Sequence, residues 1–112
     1  MNRGEIWWTA LPAPQGSEPG YCRPILIVQN DEFNRSNINT LIGMSITSNL
    51  SLAAAPGNML LRSNVSGIQK DSVANISQIV TVEKRFLTEY VGKLDHRTMQ
   101  QIDDGLRMVL DL

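Results

Sequence analysis

Arg23-Pro24-Ile25-Leu26-Ile27-Val28-Gln29 is an unbroken apolar run set behind a proline. A strand buried on both faces has this composition, whereas a half-buried strand alternates, so the chain is read outward from a central strand with Pro24 at its first rung. On the amino side, Pro12 to Tyr21 (PAPQGSEPGY) holds three prolines and two glycines, which predicts an exposed loop shaped by turn chemistry. Before it, Arg3 to Leu11 (RGEIWWTAL) carries aromatic and β-branched residues and stops at Pro12 and Pro14, so a first strand ends there.

On the carboxyl side, Asn30 to Asn39 (NDEFNRSNIN) favours a turn or a single helical turn, because Asn, Asp and Ser side chains hydrogen-bond their own backbone. Thr40 to Thr47 (TLIGMSIT) resumes strand character, and Ser48 to Pro56 (SNLSLAAAP) reads as a second flap with a fragment of helix. Gly57 to Arg62 continues as strand, Asn64-Val65-Ser66-Gly67 reads as a hairpin turn, and Asp71 to Val82 (DSVANISQIVTV) alternates in places as a half-buried strand does. Asp95 to Leu112 spaces Met99, Ile102, Leu106, Val109 and Leu110 by three and four, which makes one apolar helical face. Asp95 is placed to cap that helix and Leu94 to staple onto Met99, while Gly105 weakens it slightly. Short strands followed by one amphipathic helix predict a mainly β (α+β) fold: a small SH3-like antiparallel barrel with a C-terminal α-helix, a single domain over residues 1–112.

With 42% hydrophobic and 19% charged residues in a chain of 112, disorder is excluded and a single core is expected. Ten Lys and Arg against eleven Asp and Glu give a formal charge of -1, which singles out no partner. The apolar runs fall far short of the ~20 residues that cross a bilayer. Met1-Asn2-Arg3-Gly4-Glu5 puts a carboxylate where a signal peptide has an apolar stretch, so a cytoplasmic protein away from membranes is expected. Cys22 is the only cysteine and His96 the only histidine, which excludes an internal disulfide, a multi-cysteine metal site and a two-histidine catalytic pair. No metal and no cofactor are expected, and neither a glycine-rich phosphate loop nor a G-x-S-x-G elbow is present.

Other groups must therefore carry any chemistry. Arg23 sits between the first flap and the buried strand, where its guanidinium can fork onto phosphate or carboxylate; the plain alternative is a salt bridge to Glu18 or Glu5. Thr47 closes a strand at the second flap and can donate to an anionic oxygen in the same cleft, or can be there for β propensity alone. Glu18, the carboxylate nearest Arg23 in sequence, can serve as a general base, read a nucleobase edge, or be solvated charge. Trp7 and Trp8 face opposite sides of their strand, so one enters the core and the other is left for a subunit interface or a stacked base. Cys22 is read as an inert buried thiol, His96 as a surface residue opening the last helix, and Glu83-Lys84-Arg85 as solvated charge.

Read together, Arg3-Gly4-Glu5-Ile6-Trp7, the run Gly16-Ser17-Glu18-Pro19-Gly20-Tyr21-Cys22-Arg23-Pro24 continuing to Asn30, Ser45-Ile46-Thr47, Lys70-Asp71-Ser72-Val73 and Gln78 to Leu87 resemble the MazF/PemK family of toxin ribonucleases in order and spacing. The resemblance covers nearly the whole chain. It implies a MazF/CcdB-like barrel that acts as a homodimer, cuts single-stranded RNA at short sequences without metal, and is silenced by a cognate antitoxin. It also implies that Arg23, in the R-P motif, and Thr47 are catalytic, that Glu18 and Gln78 are candidates to read a base, and that Asn30, Ser72 and Gln15 are further RNA contacts. The antitoxin is expected to present a mostly disordered acidic segment to the RNA cleft.

That chemistry agrees with elementary physics, since RNA carries its own nucleophile in the 2′-hydroxyl. The enzyme needs only to align it with the phosphate, stabilise added negative charge and manage two protons. An arginine with a pKa above ~12 is a poor base, which leaves Glu18 or water for that task. Neither flap, Pro12 to Cys22 or Ser48 to Pro56, contains Lys or Arg, so attraction to an RNA backbone rests on residues such as Arg23, Arg62 and Arg85. Two other readings compete: a non-hydrolytic toxin of the same fold that inhibits a DNA topoisomerase, and a non-catalytic RNA- or peptide-binding barrel.

Overall fold

The computed structural model describes residues 1–11 and 21–112. Gln15 and Glu18, with nearly all of the expected first flap, lie outside the described residues. Six strands, β1 (Glu5–Leu11), β2 (Tyr21–Ile27), β3 (Thr40–Thr47), β4 (Met59–Leu61), β5 (Ser72–Glu83) and β6 (Leu87–Lys93), make one antiparallel half-barrel in the order β4-β5-β3-β2-β1-β6. Two single-turn helices, α1 (Asp31–Asn34) and α2 (Ser63–Ser66), sit in connections, and α3 (His96–Leu110) closes the chain. A 3-10 turn at Leu50–Ala54 supplies the helical fragment expected in the second flap.

The central strand is buried on both faces, as its composition requires. Leu26 belongs to the main core with Ile6, Met44, Ile46 and Ile76, which α3 covers through Met99 and Ile102. Ile25 and Ile27 belong to a second cluster on the other face with Leu41, Val82 and Leu87, against which Trp7 packs. Asp95 caps α3 by accepting from the Thr98 N–H at 2.7 Å, and Leu94 and Met99 share the main core as the staple predicts. Gly105 does more than weaken the helix: a Cβ there would stand 2.9 Å from the Gly57 carbonyl oxygen, so glycine lets α3 lie directly on that turn. The apolar stripe outruns its cover, with Val109 44% and Leu110 53% exposed. Among the described residues no helix is long and apolar enough to cross a membrane.

Two expectations need correction. Residues 64–67 are not a tight hairpin turn: β4 and β5 do pair, Leu61 with Ser72, but the chain between them forms α2 with Gly67 as its left-handed cap. Glu83, Lys84 and Arg85 are surface charge as expected, yet they lead into β6, an outer strand that pairs with β1. Cys22 is exposed rather than buried, because it lies before the point where β2 enters the core.

The amino end is pinned by Asp31, whose Oδ1 accepts the Arg3 N–H at 2.6 Å and the Asn34 side-chain amide at 3.0 Å. The Arg3 bond, with smaller help from Asn34 and nearby cations and against some burial, holds the Asp31 carboxyl below its ordinary pKa. A lowered folded-state pKa stabilises above the unfolded value of about 3.9 and is lost as pH falls through the folded value. Asp31→Ala should therefore lower Tm at pH 6–7 and cost progressively less below about pH 4. Thermal unfolding of both proteins across that window checks it, and a gap that stays constant down to pH 2 contradicts it.

Candidate active site

β2 and β3 are paired only from Ile25↔Ser45 to Ile27↔Gly43. Pro24 has no N–H to give, and beyond Ile25 the strands part: β2 stays with β1 through Thr9↔Arg23, and β3 stays with β5 through Thr47↔Val73. Continuing the β2–β3 register by two residues sets Arg23 opposite Thr47, both on the face that carries Ile25 and Ile27. The two residues singled out from sequence thus stand on the two prongs of a fork.

Each prong is held by its neighbours. Thr9, fully buried, donates its hydroxyl to the Arg23 carbonyl at 2.8 Å. Thr47 Oγ1 accepts the Asn49 N–H at 3.2 Å, a bond that leaves the hydroxyl hydrogen able to donate. Arg23 is exposed and forms no ion pair among the described residues. Glu5, the salt-bridge partner offered by the sequence, instead accepts the Trp7 indole N–H at 2.9 Å and lies 3.9 Å from the terminal ammonium. Burial raises the Glu5 pKa, but the hydrogen bonds from Trp7 and Asn2 and the ammonium outweigh it and leave the carboxyl below its ordinary value. Among the described residues Arg23 has no carboxylate partner, and its guanidinium suits an external anion.

Beside the pair, Ser45 is 5% exposed and its hydroxyl finds no partner among the described residues. Opposite it β5 slips register, from Met44↔Ile79 to Ile46↔Ala74, which bulges residues 75–78. Half-buried Gln78 lies in this bulge, between Ile76, which packs in the main core, and Val80, which packs on the other face. Ser72 is buried, donates to the Lys70 carbonyl at 3.0 Å, and lines a cavity of about 590 Å³ on the other side of the fork with Trp8, Pro24 and Ser48. Asn30 is not brought to this site. It caps α1 by accepting the Glu32 N–H at 2.8 Å, beyond the far end of β2 and roughly 20 Å of strand from Arg23.

Trp7 enters the second cluster and meets Tyr90 edge-on, with ring centroids 5.8 Å apart, whereas Trp8 faces the cavity. Gln69, Glu89 and Tyr90 also line that cavity and were not singled out from sequence, because β6 carried no recognisable strand signal and Gln69 stands alone in a loop. Of the arginines expected to attract RNA, Arg62 lies 3.6 Å from Asp71, and Arg85 is bonded to Glu83 at 2.9 Å and stacked over Phe86. Exposed pairs of this kind are weak and release their cation to a competing phosphate at little cost.

Comparison with known proteins converges on one group. The profile of the PemK-like, MazF-like toxin of type II toxin-antitoxin systems matches residues 2–110. Endoribonuclease MazF6 of Mycobacterium tuberculosis (strain ATCC 25618 / H37Rv) is 45% identical over 112 residues, 100% of this chain and 98% of that protein. Endoribonuclease EndoA of Bacillus subtilis (strain 168) is 32% identical over 112 residues, 100% of this chain and 96% of that one. Among solved structures, MazF of Deinococcus radiodurans (Form-I) superposes with a TM-score of 0.81 at 16% identity over 100% of this chain and 97% of that chain. A mycobacterial endoribonuclease in complex with its cognate antitoxin gives 0.77 at 23% identity over 100% and 96%. At those identities the superpositions speak to the fold.

Proposed function

The chain belongs to the PemK-like, MazF-like toxins of type II toxin-antitoxin systems and is an endoribonuclease of that family; on this premise we propose that Arg23 and Thr47 cut single-stranded RNA at short sequences without a metal ion. The observation that carries this reading is the fork: a guanidinium with no ion pair among the described residues and a donor-capable hydroxyl, on facing prongs and on one face of the sheet. Both are donors to the non-bridging oxygens of a phosphodiester as it gains negative charge.

The 2′-oxygen attacks phosphorus and the bond from phosphorus to the 5′-oxygen breaks. The products are a 2′,3′-cyclic phosphate and a free 5′-hydroxyl. One proton leaves the 2′-oxygen and one reaches the 5′-oxygen; we assign the first transfer to Glu18. Gln78, in the bulged stretch of β5 near Ser45, would hydrogen-bond an unpaired base, and Gln15 belongs with Glu18 to the same flap. A donor pair committed to phosphate favours cleavage over a topoisomerase inhibitor or a binding barrel, neither of which needs it.

The active species is a homodimer. In support, Phe33, Ile42, Ile79 and Leu110 line an apolar cleft beside the uncovered end of α3, a surface that a second copy would bury. The toxin acts in the cytoplasm, and a cognate antitoxin, held to the fork by an acidic and partly disordered segment, competes with RNA there. The test is a long transcript incubated with the protein in excess EDTA, with the ends mapped. Discrete cuts carrying cyclic phosphate and 5′-hydroxyl ends are expected; intact RNA refutes the proposal.

A further inference from the structure

We propose that the cavity behind the fork binds one nucleobase of the RNA, on a nucleotide neighbouring the scissile linkage, an inference that rests on the endoribonuclease reading above. At about 590 Å³ it falls within the range of small-ligand sites. Its border includes Pro24 and Ser48, the residues adjoining Arg23 and Thr47, so it opens at the same strand ends as the catalytic pair. Those border residues present the opposite face of their strands. The occupant is therefore reached over the strand ends and is a neighbour of the reacting nucleotide.

The lining matches a flat polar ring. Trp8 supplies aromatic surface, and Gln69, Lys70, Ser72 and Glu89 supply polar groups around it. Among the described residues, Lys70 and Glu89 join no ion pair, so both remain available to a ligand. One cation and one anion offset each other, so a lone phosphate gains little here. A neutral ring with donors and acceptors on its edge gains from stacking and from hydrogen bonds together. The Glu89 carboxylate only accepts, and guanine alone offers it two adjacent donors, N1–H and the exocyclic amine, so guanine is the base selected.

The wall is preformed. A Cβ on Gly67 would stand 2.9 Å from the Val91 oxygen, and one on Gly92 2.7 Å from the Ser66 oxygen, so both glycines let the α2 segment rest on the β6 backbone. A cavity built this way costs little ordering when it is filled.

An all-2′-O-methyl oligonucleotide has its nucleophile blocked and reports binding apart from cleavage. In a Trp7→Phe background Trp8 is the sole tryptophan, and its fluorescence reads the cavity. With an abasic site walked along the oligonucleotide, one position should lose about tenfold in affinity and fail to quench Trp8. The loss at that position should shrink to about twofold in Trp8→Ala, with affinity read by anisotropy of a labelled oligonucleotide. On a mapped transcript, Glu89→Gln, at an exposed position that leaves the fold intact, should weaken the preference for guanine at that position. Equal losses at every position, or the same base preference in wild type, Gln69→Ala and Glu89→Gln, overturn the proposal. Should wild type leave transcripts whole while the single-position loss persists, the nuclease reading fails and the base site stands.

Discussion

Replacing Arg23 by alanine is expected to slow RNA cleavage by about a thousandfold or more, and replacing Thr47 by alanine by about a hundredfold, with both variants folded. A single donor aimed at developing charge is worth about 10²–10³ in rate, and the guanidinium offers more than one. Neither side chain is part of a core cluster, so the loss should fall on rate rather than on Tm. Arg23→Lys keeps the charge without the planar fork and should recover only a fraction of the activity, whereas Thr47→Ser keeps the hydroxyl and should recover most. Single-turnover cleavage of a defined oligonucleotide in EDTA, beside circular dichroism of each variant, decides it. Near wild-type rates in Arg23→Ala would remove the proposed catalytic pair.

The largest effects on stability are expected at two adjacent residues, Ile25 and Leu26. Both have 0% exposure, yet they point to opposite faces and into different clusters. In an ordinary half-buried strand only one of two neighbours matters. Here Ile25→Ala and Leu26→Ala should each cost about 2–5 kcal/mol, from lost transfer energy plus the cavity left behind. Urea unfolding of the two variants tests this, and a cost below about 1 kcal/mol for either would show that its face is not a packed core.

What could be read in advance follows from where the signal lies. The apolar run of β2 and the three-four spacing of α3 survive in the structure because their pattern is set by burial, which the residues themselves encode. β6 (LTEYVGK) was unreadable because an outer strand with much of its surface in water needs no alternation; its partner β1 supplies the order. The turn of α2 imitates a hairpin in composition, and only the approach of its backbone to Val91 tells the two apart. Residue type alone points Cys22 inward, while the fork leaves the start of β2 outside the core. The site divides in the same way. Arg23, Thr47 and Gln78 sit on motif segments, and the first two share one face, whereas the cavity is assembled from β1, β6 and the α2 connection, a neighbourhood with no local signature.

The strand order carries one more consequence, for biosynthesis. Among the described residues β1, near the amino end, has one long edge that pairs with β6, and the main core is roofed by α3. A growing polypeptide therefore cannot complete this sheet until almost all of it has left the ribosome, and pairings so distant along the chain form late and slowly. Translation of such a toxin finishes before its product can turn on the messages being read around it.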